Sequence, residues 1–104
     1  AIDRLRRASA LVDPRRPTVL FTLGKLLLGA GHAAEAATTF ADAAAADPHG
    51  PLLEDALARE IEAWAGAGQP ERAQLRAHAY LAQYPRGLFR DAVLRWSQPG
   101  PRAP

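Results

Sequence analysis

Apolar residues recur along this chain at helical spacing. Leu20, Leu23 and Leu27 stand at i, i+3 and i+7, and Ala36, Phe40 and Ala43 at i, i+4 and i+7. Each series falls on one side of a 3.6-residue turn, so each predicts an amphipathic helix. Gly29 to His32 forms the turn between them. Asp47-Pro48 ends the second helix, because proline lacks the N–H that the ladder needs and restricts the residue before it. Two such helices on a short turn must pack antiparallel. Small side chains at Gly24 and Ala36 let their backbones approach, and Phe40 fills the space left over.

The pattern then repeats. Leu20, Leu23, Gly24, Leu27, Gly31, Ala36, Phe40, Ala43 and Pro48 occupy positions 4, 7, 8, 11, 15, 20, 24, 27 and 32 of a 34-residue frame that starts at Pro17. A degenerate second copy follows at an offset of 37, where Gly31, Ala36 and Pro48 recur as Gly68, Ala73 and Pro85, and Leu20 and Leu27 as Leu57 and Trp64. Ile61 replaces the glycine, Ala77 the phenylalanine and Tyr80 the alanine, so large and small side chains have traded places. The three additional residues are expected to lengthen the first helix of that copy, Pro51 to Ala65, with Pro51 preset at its first position.

The flanks extend the series. Asp13-Pro14 lies 34 residues before Asp47-Pro48, so residues 1 to 12, apolar at Ile2, Leu5, Leu11 and Val12, read as the second helix of a preceding pair. Lacking its partner, that helix is expected to expose apolar surface through which the chain could self-associate. After Gly87 a helix Leu88 to Ser97 carries Leu88, Phe89, Ala92, Val93 and Trp96 on one face and serves as a cap. Residues 98–104 read as an irregular tail.

The spacing of the first copy resembles the tetratricopeptide-repeat pattern, with Leu20 where that family usually has Trp and Leu27 where it has Tyr. The resemblance covers nearly the whole chain and implies an all-α fold. Antiparallel helix-turn-helix repeats would stack as an α-α superhelix of about six helices: a half repeat 1–16, repeats 17–50 and 51–87, a capping helix 88–97 and the tail 98–104. It also implies a function, a protein-protein interaction scaffold whose concave groove holds a peptide or a partner helix. Carried over, the family's groove positions fall on Thr18, Phe21, Thr22, Lys25 and Leu28, and on Asp55, Ala58, Arg59, Glu62 and Ala65. Lys25 and Arg59 are the only cations among them and the chain has no asparagine, so the carboxylate clamp of chaperone-binding members is missing. The expected ligand is a segment with an apolar anchor and at least one acidic residue. The Tyr84-Pro85-x-Gly87 ending resembles bacterial envelope and regulatory members, which keeps open a second reading as a structural spacer or oligomerisation segment of a larger bacterial protein.

Composition narrows these readings. The chain has 104 residues, 48% of them hydrophobic, enough for a modest core in one domain. Aromatics are only 7% and no cysteine is present, which removes disulfides and thiolate metal sites. The most apolar stretch, Val19 to Gly31, holds Lys25 and is too short to span a bilayer. A first segment already helical, opening on alanine with no signal peptide, reads as an excerpt of a longer or processed protein. The compartment, cytoplasmic or periplasmic, stays open.

Charge is striped: +3 over residues 1–16, −5 over 17–62 and +4 over 63–104, with twelve of thirteen cations arginine. Arg72, Arg76, Arg86, Arg90 and Arg95 keep nucleic-acid binding as a minor alternative, although Tyr80, Tyr84, Phe89 and Trp96 fit a core better than an exposed stacking surface. His32 is placed in a turn, His49 after a helix and His78 on a helix off the core, none with a second His or a carboxylate at i+3 or i+4 on a shared face. Glu54, Asp55, Glu60 and Glu62 read as a solvated helix face whose acids favour the dipole. The glycines follow no strand, so they cradle no phosphate. No enzyme and no cofactor is therefore expected.

Overall fold

The computed structural model describes residues 1–9 and 14–98, and these form six helices and no strand. They are α1 (Ile2–Ser9), α2 (Arg16–Gly29), α3 (Ala33–Ala46), α4 (Leu53–Gly66), α5 (Pro70–Gln83) and α6 (Arg90–Trp96). Each of α1 to α5 packs against its neighbours in the chain, and α6 rests on both α4 and α5. The all-α stack of helix pairs expected from the spacing is thus the fold. Leu11, Val12 and the 99–104 part of the tail lie outside the described residues.

Both stripes face inward. Leu20, Leu23 and Leu27 of α2 and Ala36, Phe40 and Ala43 of α3 are all buried. Gly24 is buried under the Phe40 ring, and a β-carbon built there would lie 2.7 Å from it. In the second pair the positions 37 residues on are Ile61 and Ala77, both buried, so the large member has moved from α5 to α4. Tyr80 is as deeply buried as Phe40.

From α2 onward the described helices repeat at 37 residues. α2 and α4, and α3 and α5, have identical lengths of 14 residues and starts 37 apart, and α6 starts 37 after α4. The extra residues do not lengthen α4, which begins at Leu53. They lie in the link Asp47 to Leu52, where the Gly50 N–H donates to the Asp47 carbonyl and the Leu53 N–H to the Gly50 carbonyl. The same two bonds recur as Gly87 to Tyr84 and Arg90 to Gly87. The cap is therefore shorter than expected, and Leu88, counted on its buried face, is an exposed turn residue equivalent to Pro51.

Within each pair the turn has one chemistry. The His32 N–H donates to the Leu27 carbonyl and the Gly31 N–H to that of Leu28; 37 residues on, Gln69 donates to Trp64 and Gly68 to Ala65. This is the Schellman arrangement, which satisfies the carbonyls left open at a helix end and needs a left-handed residue. Gly31 and Gly68 supply it, at φ +86 and +72.

Candidate partner-binding surface

Because helix boundaries repeat at 37, Thr18, Thr22 and Lys25 of α2 fall on Asp55, Arg59 and Glu62 of α4. The same positions of both helices are therefore presented together. Thr18, Thr22 and Lys25 are exposed; Leu28, Asp55, Arg59, Glu62 and Ala65 are half-buried. Phe21 and Ala58 depart from the expectation. Phe21 is only 9% exposed, packs edge-on against Phe40 with ring centroids 5.6 Å apart, and carries the Lys25 ammonium 5.6 Å above its own ring. It is a core residue rather than a free anchor. Ala58 is fully buried.

The α4 part of this surface is self-paired. Arg59 Nη1 donates to Glu62 Oε1 at 2.9 Å and its Nε lies 3.4 Å from Asp55 Oδ1. These two latter atoms are enclosed and have no other partner in hydrogen-bond geometry, so the ion contact is what compensates them. One cation thus answers two acids, and Lys25 is the cation of the set outside that triad.

Two polar clusters of α4 and α5 were hidden in the sequence. Glu60, expected on a solvated face, is 4% exposed. Its Oε2 accepts from Trp64 Nε1 at 3.0 Å and its Oε1 from Arg76 Nε at 3.2 Å, while Arg72 stacks over the Trp64 ring at 4.8 Å. The signal that could have found it is the 37-residue offset, which puts Glu60 where the first copy buries Leu23. Glu54 is the second. Its Oε2 accepts from the Tyr80 hydroxyl at 2.8 Å and from the Leu88 N–H at 2.8 Å, and the Tyr80 hydroxyl accepts from the Phe89 N–H at 3.0 Å. Burial first, and the bond to Glu54 second, push the Tyr80 phenol up to about 12. This bond set latches α5 and the α6 approach to the start of α4. A β-carbon on Gly87 would run into the Tyr80 hydroxyl, so the latch also demands glycine there.

All three histidines are exposed, and among the described residues no group of three His, Cys, Asp or Glu side chains could hold a metal ion. No described helix is long and apolar enough to cross a membrane. No family model, curated protein or solved structure matches this chain.

Proposed function

We propose that this chain is an interaction module of the tetratricopeptide kind, holding an extended peptide or a partner helix across the matched faces of α2 and α4. The observation that carries the reading is the identical framing of those two helices. Equal length, equal turn geometry and a constant 37-residue offset present Thr18, Thr22 and Lys25 in the same positions as Asp55, Arg59 and Glu62. Solenoids built this way use such aligned positions as an extended recognition surface. The expected contacts are polar, from Thr18, Thr22, Lys25 and Glu62, with Leu28 contributing its exposed edge; Phe21 supports the surface from beneath.

The spacer reading has one observation in its favour, the engagement of Arg59 by Asp55 and Glu62, which leaves less of α4 to offer a partner. Affinity capture with the wild-type chain and with a Thr22→Arg, Lys25→Glu variant, run beside analytical ultracentrifugation, separates the two. A captured partner lost from a variant that melts like the wild type supports peptide capture. Self-association that persists in the variant, with no partner captured, supports the spacer.

A further inference from the structure

The side of the second helix pair that carries Glu60 holds a cavity of about 260 Å³ lined by Glu60, Trp64, Arg72, Leu75 and Arg76. Its electrostatics are unbalanced. Glu60 is the one acid in the lining, and both of its oxygens are taken, one by the Trp64 indole and one by Arg76. Among the described residues Arg72 makes neither an ion pair nor a hydrogen bond, only its stack on Trp64, and Arg76 uses Nε alone. Two arginines one turn apart thus present guanidinium N–H groups around a small cavity. Beside them Leu75 is 69% exposed, a large apolar side chain with no core role.

The first helix pair shows how such a position is used. There the residue 37 before Arg72 is Glu35, and Arg6 of α1 donates to its carboxylate at 2.6 Å. In the second pair the acid has become an arginine. The residue 37 after Arg6 is Ala43, which has no polar atom to offer. The pairing is inverted in sign and its second member is not supplied by α3.

We propose that Arg72, Arg76 and Leu75, floored by Trp64, form a docking site for an acidic peptide segment of a partner, an Asp or Glu carboxylate with an aliphatic or aromatic side chain beside it. The guanidinium fork matches a carboxylate bidentately, and stacking on Trp64 holds Arg72 oriented for it. Leu75 covers the neighbouring apolar side chain. A protein segment fits better than nucleic acid, because a polyanion needs a track of several phosphate contacts and this cavity accepts one or two side chains. The site lies on α5 and the end of α4, apart from the α2 and α4 face proposed above, and stands or falls without it.

The test is selection of random linear peptides on the wild-type chain, counter-selected on an Arg72→Gln, Leu75→Ser variant, with the indole resonances of Trp64 and Trp96 read by ¹⁵N–¹H NMR. Both substituted side chains are exposed, so the variant is expected to fold. Enriched peptides should carry an acid next to an apolar residue and shift the Trp64 indole saturably. They should bind Arg72→Gln at least about tenfold more weakly, the loss expected for a charged hydrogen-bonded contact, and bind Lys25→Glu unchanged. The proposal is overturned if no peptide is enriched, if the enriched set lacks acids, or if the double variant binds it equally. It is equally overturned if oligothymidylate or phosphatidylserine vesicles move the Trp64 indole where no peptide does.

Discussion

At Gly24 two effects of opposite sign meet in one methyl group. Alanine is the better helix former by roughly 0.5–1 kcal/mol. Its β-carbon, however, would sit 2.7 Å from the Phe40 ring, which is fully buried and has no room to retreat, and overpacking of that kind costs about 1–3 kcal/mol. Gly24→Ala is therefore expected to lose roughly 1–2 kcal/mol in urea unfolding. Gly66→Ala, where the new methyl meets only the Ala33 β-carbon at 3.8 Å, should gain up to ~1 kcal/mol. Adding Phe40→Leu to Gly24→Ala should cost less than the two changes summed, since each relieves the other. A Gly24→Ala chain as stable as the wild type would remove Gly24 from the helix contact. That contact was legible in the sequence, because a glycine and an alanine set opposite a phenylalanine at helical spacing specify a close helix crossing with one ring in the gap. Glu60 was not. In sequence its acid looks like Glu54, Asp55 and Glu62; the 37-residue offset onto buried Leu23 marks its position, but its partner Arg76 lies on another helix, so only three-dimensional pairing reveals what compensates the charge.

The helices themselves were legible, and their links were not. Hydrophobic spacing places the buried stripes of α2 and α3 and the turn between them, and brings the start of α4 to within two residues. It cannot distinguish a helix that starts at Pro51 from a double turn that ends at Leu52, because proline favours both. The shared turn chemistry of the two pairs makes a sharp prediction at this scale. Gly31 and Gly68 have nothing within 4 Å of a built β-carbon, so alanine there suffers only the left-handed backbone, about 1–2 kcal/mol. Gly31→Ala and Gly68→Ala should thus shift the urea midpoint by equal amounts, and unequal losses would mean that the two turns are not equivalent. The α4, α5 and α6 latch adds a pH signature. The Tyr80 phenol titrates near 10 when unfolded and at about 12 when folded, so the folded chain holds its proton more tightly between those values. That stabilisation is fully present below pH 10 and is lost as pH rises to 12, by about 2–3 kcal/mol. Tyr80→Phe should abolish this share of the alkaline slope. At neutral pH it should cost about 1–3 kcal/mol, because the part-buried Phe89 N–H and one Glu54 bond lose their partner.

Across the whole molecule, stability should follow the number of neighbours each helix has. In a stack where elements touch only those beside them, free energy is a sum of helix and interface contributions, and the ends open first. α3 and α4 are covered on two sides, α1 packs mainly on α2 and reaches α3 through the exposed Arg6–Glu35 pair, and α6 is held by a modest contact with α4 and α5 together with the Glu54 latch. Amide hydrogen exchange should accordingly be slowest in α3 and α4, where Phe40, Ala58 and Ile61 are fully buried, and fastest in α1 and α6. Glu54→Ala sharpens the test, since it removes one side chain from the start of α4 while leaving the buried face of that helix intact. The Tyr80 hydroxyl and the Leu88 N–H then lose their acceptor. Exchange in α6 should accelerate about tenfold or more, the factor that corresponds to a charged hydrogen bond, while α2 and α3 keep wild-type protection. Uniform acceleration in all six helices would instead mark the chain as one cooperative globule whose repeats are repeats in outline only.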